Sequence, residues 1–169
     1  MFDKETITAV KDVLDIARSN GYTIATAESC TGGLIGAALT SVAGSSEVFE
    51  RGFITYSNDA KTEMLGVEED VIKSHGAVSE QVARQMCEGA IRHSKAKVGV
   101  AVTGIAGPAG GCEEKPVGTV HLAVTSTDGL TQHAMLELGD IGRNQVRHQT
   151  MLAALAMLKE QMAGHLVVA

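Results

Sequence analysis

The segment that most constrains the fold is an uninterrupted apolar run near the middle of the chain. Residues 97–103 (KVGVAVT) are rich in β-branched side chains and do not alternate between apolar and polar positions. Such a run is typical of a strand that is buried on both faces, because a solvated face would place a polar side chain at every second position. The run therefore predicts a buried strand, which requires a sheet enclosed by other elements of the fold.

Segments of helical and strand pattern alternate along the rest of the chain. Apolar residues recur at helical spacing over residues 5–19, and Asn20-Gly21 follows as a plausible helix end. The same criteria predict helices at 33–40, 58–65, 67–75, 79–94 and from 144 onward, and strands at 22–27, 49–56, 117–125 and 130–138. Asp128-Gly129, between the last two strands, is a strong hairpin signal. This order predicts a single domain over residues 1–169 with an α/β fold, a three-layer αβα sandwich around a mixed sheet.

The composition restricts the classes of function. Apolar residues make up 44% of the chain and aromatic residues 3%, so the core must be aliphatic. A net charge of −6 argues against a nucleic-acid-binding surface, and no run approaches the roughly 18 apolar residues that a membrane span needs. The first residues, MFDKETITAV, carry no signal-peptide pattern, so we expect a cytoplasmic protein with neither nucleic acid nor membrane as a partner. The three cysteines (Cys30, Cys87 and Cys112) are widely spaced and are expected to be free thiols.

Residues 26–33 (TAESCTGG) contain the first candidate site. A predicted strand ends here, Ser29 lies in a turn and a helix follows, so the junction leaves backbone N–H groups unpaired. With a base nearby, the Ser29 hydroxyl could act as a nucleophile, and the N–H groups of Cys30, Thr31 and Gly32 could bind the oxyanion. The same turn could instead cradle a phosphate, or Ser29 could be only the N-cap of the helix. The motif by itself leaves these three possibilities open.

A base for Ser29 has to come from another part of the chain. GxSxG is absent, which argues against the nucleophile elbow of α/β-hydrolases. Tyr56 and Lys61 are the best candidates, because they lie five residues apart where a strand leads into a helix that Asn58-Asp59 can cap. A buried lysine can have a pKa low enough to accept a proton. The alternative is a surface lysine on a polar helix.

Two further segments supply groups that could bind a ligand. Thr103 ends the predicted central strand, and the glycine-rich loop that begins at Gly104 is either a ligand-facing backbone or a flexible connection. Because open sheets bind ligands at the carboxyl ends of their strands, this loop and the Ser29 turn are expected to lie together. Arg143 and Arg147 are one helical turn apart and could clamp a phosphate or form surface ion pairs.

Five long motifs together resemble the CinA C-terminal domain family, whose stand-alone members are nicotinamide-nucleotide amidohydrolases. They follow the family's order and span most of the chain: TAESCTGG at 26–33, AGSSEVFERGFITYSNDAK at 43–61, HGAVSE at 75–80, TGIAGPAGG at 103–111 and EEKPVGTV at 113–120. The resemblance implies the family's αβα sandwich and a homo-oligomer, with a dimer favoured. It implies neither a metal nor an organic cofactor.

The resemblance also implies a reaction, in which nicotinamide mononucleotide (NMN) and water give nicotinate mononucleotide and ammonia during pyridine-nucleotide salvage. The family's Ser/Lys/Tyr arrangement falls on Ser29 as the nucleophile, Lys61 as the base and Tyr56 as the group that relays or orients the proton. The N–H groups of Cys30 and Thr31 would hold the oxyanion. The family positions that line the nucleotide pocket are Ser46, Thr103 and Arg143, with Arg143 as the phosphate partner.

The chain departs from the family pattern before its last helix. Many members carry Gly-Asp-Arg there, whereas this chain has Gly142 directly in front of Arg143. Loss of the acid could alter how the arginine is held, so the alternative hypothesis is a catalytically weak or inactive nucleotide-binding module. The polar tract at 112–119 could form a rim or a lid of the site.

Overall fold

In a computed structural model of the protein, the structure is described for residues 1–164. The helices and strands of these residues are, in chain order, α1 (Lys4–Asn20), β1 (Ile24–Glu28), α2 (Leu34–Thr40), β2 (Phe49–Ile54), α3 (Asn58–Leu65), α4 (Glu69–His75), α5 (Glu80–Arg92), β3 (Val98–Gly104), β4 (Thr119–Ser126), β5 (Gln132–Glu137) and α6 (Arg143–Met162). A short 3₁₀ turn at Ser45–Glu47 precedes β2. Every predicted helix and strand is present, with its ends shifted by no more than two residues.

The strands form one mixed sheet in the order β2-β1-β3-β4-β5. β1 is parallel to β2 and to β3, whereas β4 is antiparallel to both of its neighbours. The register places Glu28, the last residue of β1, beside Ile54 of β2 and Val102 of β3. The carboxyl ends of these three strands therefore meet at one edge of the sheet, and the turns after β1 and β3 lie together as predicted.

Helices cover both faces of the sheet, which confirms the αβα sandwich. On one face the valines of β3 pack against α1, α2 and α6, and on the other face Ala101 and similarly small residues pack against α3, α4 and α5. β3 is buried from Val98 to Thr103, as its continuous apolar run predicts. The small side chains allow α5 to approach closely, since a Cβ at Gly99 would lie 3.3 Å from Cδ1 of Ile91. The central strand is thus enclosed between two helical layers.

One predicted helix cap is wrong. Asn58-Asp59 was expected to cap α3, but both residues lie inside the helix. The N-cap is Ser57, whose Oγ accepts a hydrogen bond from the N–H of Ala60 at 3.0 Å. The cap satisfies one of the unpaired donors of the first turn and fixes where the helix begins. This start matters for the site because α3 carries Lys61.

The three cysteines differ in their exposure to solvent. Cys30 and Cys87 are buried, Cys112 is exposed, and all three are free thiols. Within residues 1–164, no helix is both long enough and apolar enough to span a membrane. The same residues contain no group of three or more His, Cys, Asp or Glu side chains that could hold a metal ion.

Candidate active site

A cavity of about 270 Å³ opens at the edge of the sheet where β1, β2 and β3 end. The cavity is lined by seven of the residues that were predicted from the sequence as site residues: Ser29, Cys30, Tyr56, Lys61, Thr103, Gly104 and Arg143. An apolar wall completes the lining, formed mainly by Ala77, Val78, Ile105, Ala106 and Ala109. Side chains scattered along more than one hundred residues of the chain therefore meet in one place.

Ser29 and Lys61 are in direct contact in this cavity. Nζ of Lys61 lies 3.1 Å from Oγ of Ser29. The amine also donates to two main-chain carbonyl oxygens, that of Thr55 at 2.9 Å and that of Ser57 at 3.5 Å. Ser29 is held in turn by a hydrogen bond of 3.1 Å from its N–H to the carbonyl oxygen of Val102. The hydroxyl and the amine are thus within proton-transfer distance.

The environment of Lys61 favours a neutral amine. Only 1% of the residue is exposed, so the alternative of a surface lysine is wrong. No carboxylate of the described residues forms an ion pair with it. Burial removes the hydration of the ammonium form and lowers the pKa of Lys61 below the usual range of lysine, an effect that the nearby Cys30 opposes only in part. A lysine with a lowered pKa can accept the proton of a serine hydroxyl.

The turn after Ser29 leaves two backbone donors available. The N-cap position of α2 is occupied by Gly33, so the N-cap role considered for Ser29 is wrong. The N–H of Gly32 donates to the carbonyl oxygen of Ser29 at 3.0 Å, and its expected role as an oxyanion donor is therefore also wrong. The N–H groups of Cys30 and Thr31 make no main-chain hydrogen bond within residues 1–164. Cys30 lines the cavity whereas Thr31 is fully buried, and their N–H groups, which have no main-chain partner, are the candidates to bind an oxyanion that forms beside Ser29.

Tyr56 and Arg143 stand together at the mouth of the cavity. The tyrosine is 60% exposed, and its phenolic oxygen accepts a hydrogen bond from Nη2 of Arg143 at 2.7 Å. Nη1 of the arginine donates to the carbonyl oxygen of Gly107 at 2.8 Å. Within the described part of the chain, Arg143 has no carboxylate partner, and no hydrogen bond joins Tyr56 to Ser29 or Lys61. The guanidinium is placed to bind an anion, and in this structure the phenol bonds to the guanidinium.

Thr103 and Gly104 contribute to the cavity through backbone shape. Oγ1 of Thr103 donates to the carbonyl oxygen of Ala77 at 2.8 Å and so ties the loop between α4 and α5 to the end of β3. At Gly104 a Cβ would lie 2.7 Å from Cγ2 of Val120, so a larger residue does not fit without displacing β4. Both residues therefore fix the position of the cavity wall.

Two residues that were predicted from the sequence as ligand-binding residues do not line the cavity. Ser46 is exposed in the 3₁₀ turn before β2, at the amino end of that strand, whereas the cavity lies at the carboxyl ends. The expectation that Ser46 lines the pocket is therefore wrong for a cavity built by one subunit. Nη2 of Arg147 donates to the carbonyl oxygen of Thr31 at 2.9 Å, behind the Ser29 turn. The clamp of two arginines is also wrong, and Arg143 alone faces the cavity.

The polar tract and the Gly142 position lie beside the site. Nζ of Lys115 donates to the carbonyl oxygen of His75 at 2.6 Å, which ties the tract to the end of α4. The tract contributes no residue to the cavity lining. Gly142 is the N-cap residue of α6 with a φ of 94° and supplies no side-chain cap. Arg143 is held by Tyr56 and Gly107 in the absence of the family's acid.

Glu28 belongs to this region although it was not predicted from the sequence as a site residue. The side chain is 1% exposed and accepts hydrogen bonds from the turn and from the start of α2. An acidic residue at the end of a strand and just before a helix is a usable signal, because helix N-termini attract negative charge. The motif TAESCTGG contains that signal, although its serine and glycines draw attention first.

The model of the CinA C-terminal domain family matches residues 6–162 of the chain. The protein belongs to this family. It is 45% identical over 163 residues to the nicotinamide-nucleotide amidohydrolase PncC of Escherichia coli K12, with 95% of this chain and 97% of that protein covered. It is 49% identical to a CinA-like protein of Syntrophus aciditrophicus, in which the match covers 96% of this chain and 38% of the longer relative.

Solved structures of the CinA family share the fold. The competence/damage inducible protein CihA from Agrobacterium tumefaciens superimposes with a TM-score of 0.92 at 49% identity, over 94% of this chain and 96% of that chain. A CinA superfamily protein from Klebsiella pneumoniae gives a TM-score of 0.88 at 32% identity, over 94% and 98%. The mixed-sheet sandwich is therefore the architecture of the family.

Proposed function

We propose that this CinA-family protein is a cytoplasmic hydrolase that converts NMN and water into nicotinate mononucleotide and ammonia. The observation that carries the proposal is the 3.1 Å contact between the buried amine of Lys61 and the hydroxyl of Ser29, at the bottom of a cavity whose mouth holds Arg143. The similarity to PncC of Escherichia coli, whose name states the amidohydrolase activity, supports the choice of substrate.

The contacts of Lys61 support a role as the base. A neutral amine has two N–H donors and one lone pair, and the carbonyl oxygens of Thr55 and Ser57 can accept both donors. The lone pair then remains for the hydroxyl of Ser29, whose Oγ lies 3.1 Å from Nζ. As the proton moves to Nζ, Oγ forms a bond to the carboxamide carbon and the carbonyl oxygen becomes an oxyanion. The N–H groups of Cys30 and Thr31 stabilise this oxyanion.

The remaining steps return the enzyme to its starting state. The Lys61 ammonium gives its proton to the amide nitrogen, and the C–N bond breaks. Ammonia leaves, and the acyl group remains on Ser29 as an ester. Water then attacks the ester and gives a proton to Lys61, which protonates Oγ as the acyl–oxygen bond breaks. Nicotinate mononucleotide is released, and no other reactant is consumed. This series of steps requires the amine of Lys61 to act first as a base and then as an acid.

The cavity offers separate surfaces for the two ends of the substrate. The apolar wall, formed mainly by Ala77, Val78, Ile105, Ala106 and Ala109, supports a planar ring. Arg143 lies at the mouth without a carboxylate partner in the described residues and binds the phosphate. Tyr56 orients this arginine through the 2.7 Å hydrogen bond, whereas the family resemblance implies that it relays or orients the proton. Family membership further supports a homodimer, which light scattering of the purified protein would test.

The test is ammonia release from NMN by purified protein in the presence of a chelator, beside the variants Ser29→Ala and Lys61→Ala. We expect turnover by the wild type and loss of most turnover in both folded variants. Nicotinamide riboside and nicotinamide, which lack the phosphate, are expected to react more slowly. Calorimetric binding of NMN without turnover would instead support a nucleotide-binding module, and robust turnover by either variant would refute the mechanism.

A further inference from the structure

The main chain from Ser29 to Gly36 has a nearly complete set of hydrogen bonds. The N–H of Gly32 donates to the carbonyl oxygen of Ser29, and the N–H of Leu34 to that of Thr31. The N–H groups of Gly33, Ile35 and Gly36 all donate to the carboxylate of Glu28. Only the N–H groups of Cys30 and Thr31 remain without a main-chain or Glu28 partner in this stretch.

The carboxylate of Glu28 is the hub of this arrangement. Its Oε2 accepts from the hydroxyl of Thr31 at 2.7 Å, from the N–H of Gly33 at 3.1 Å and from that of Ile35 at 3.0 Å. Its Oε1 accepts from the N–H of Gly36 at 2.8 Å. All four bonds use the carboxylate as an acceptor. The start of a helix favours an acidic side chain, and Glu28 accepts from the N–H groups of Ile35 and Gly36 there.

Glu28 also holds the turn that precedes α2. Without it, the N–H groups of Gly33, Ile35 and Gly36 would lose their acceptor and the turn would be free to shift. The Thr31 hydroxyl bond, together with the 2.9 Å bond from Arg147 to the Thr31 carbonyl oxygen, fixes the turn between nucleophile and helix. The result is a turn in which the two unused donors directly follow Ser29 in the chain.

We propose that Glu28 is a positioning residue that holds the Ser29–Thr31 turn so that the Cys30 and Thr31 N–H groups are free for the oxyanion. The inference rests on the proposed Ser29 chemistry and deepens it. Glu28 does not line the cavity and so acts through the turn. Its removal is expected to slow the chemical step and to leave substrate binding almost unchanged.

The experiment compares kcat and KM for NMN, and the rate of Ser29 phosphonylation by a fluorophosphonate, in four folded proteins. They are the wild type, Glu28→Gln, Thr31→Val and, as a control, Asp3→Ala, which removes the carboxylate that caps α1 through the N–H of Thr6. Glutamine keeps the size of Glu28 but replaces one acceptor oxygen by an NH₂ group, which then faces the N–H or O–H donors of the turn. Valine keeps the shape of Thr31 and removes its bond to Glu28.

For Glu28→Gln we expect kcat to fall at least tenfold, up to the roughly hundredfold loss that a misplacement of about 1 Å can cause, with KM within about threefold. Phosphonylation of Ser29 should slow in parallel, and Thr31→Val should show the same pattern to a smaller extent. Asp3→Ala should keep wild-type values of both, although it unfolds more easily.

Wild-type kcat and phosphonylation in folded Glu28→Gln would overturn the proposal, as would a fall in kcat without slower phosphonylation or an effect on KM alone. If Glu28→Gln does not fold, Thr31→Val decides, and wild-type rates in that variant would overturn it. If the wild type releases no ammonia from NMN, the proposed function fails, while the phosphonylation rates still test Glu28.

Discussion

Replacing Lys61 by methionine should change how the stability of the protein depends on pH. Lys61 is 1% exposed, and burial lowers its pKa in the folded state. Between the folded-state pKa and the unfolded value near 10.5, the unfolded chain binds one proton more than the native protein. The free energy of unfolding of the wild type therefore rises with pH across this window, relative to that of Lys61→Met, by about 1.4 kcal/mol per pH unit. Below both pKa values and above both, the difference should stay constant.

At any single pH, two opposing effects decide whether Lys61→Met has a higher or a lower free energy of unfolding than the wild type. Methionine removes the cost of burying an amine, but it leaves the carbonyl oxygen of Thr55 without its 2.9 Å partner, which costs about 1–3 kcal/mol. The slope is free of this balance because the lost hydrogen bond contributes equally at every pH. The slope is therefore the quantity that tests the protonation state of Lys61.

Urea unfolding of both proteins between pH 7 and pH 11 measures the difference. Lys73→Met serves as the control, since Lys73 is an exposed lysine on α4 whose side chain is 70% accessible. Each kcal/mol corresponds to about 2–4 °C in Tm for a chain of this size, so thermal unfolding gives an independent reading. Parallel curves for wild type and Lys61→Met throughout this range would refute a lowered pKa.

Three further changes probe other parts of the structure. Arg143→Ala should raise KM for NMN at least tenfold and should affect KM for nicotinamide riboside much less. The control Arg18→Ala removes a surface cation paired with Asp15 and Glu47 and should leave both KM values unchanged. Equal effects of Arg143→Ala on both substrates would contradict a phosphate role. Ser57→Ala should lower the free energy of unfolding by about 1 kcal/mol through loss of the α3 cap, as measured by urea unfolding, and an unchanged value would contradict the cap. Gly89→Ala should lower the free energy of unfolding by about 1–3 kcal/mol or more, because the added Cβ would collide with the carbonyl oxygen of Leu65. A Tm equal to that of the wild type would show that α3 and α5 are less closely packed than the structure indicates.

The fold was largely predictable because its strongest signals are local. The run at 97–103 is a strand buried on both faces, and Asp128-Gly129 lies between the antiparallel strands β4 and β5. The α3 cap was misassigned by one residue because serine, asparagine and aspartate are all good caps, and only the geometry selects Ser57.

The site was harder to predict because its contacts are distant in sequence. Tyr56 and Arg143 are 87 residues apart, and nothing in either segment indicates that the phenol bonds to the guanidinium. Ser46 lies in the same motif as Tyr56 and Lys61, yet β2 separates it from them and carries it to the opposite edge of the sheet. Arg147 has the right helical spacing to join Arg143, but the carbonyl oxygen of Thr31 is its partner. Spacing along the chain shows which residues share an element and leaves their partners on other elements undetermined.

The central claim is that Lys61 is the base for Ser29, and the pH dependence of kcat/KM for NMN tests it most directly. Above pH 7, we expect kcat/KM to rise tenfold per pH unit and then level off, with a midpoint below 10.5 that matches the folded-state pKa at which the wild-type and Lys61→Met stabilities begin to diverge. A flat profile over this range, or a midpoint that does not match the onset of divergence, would contradict the claim.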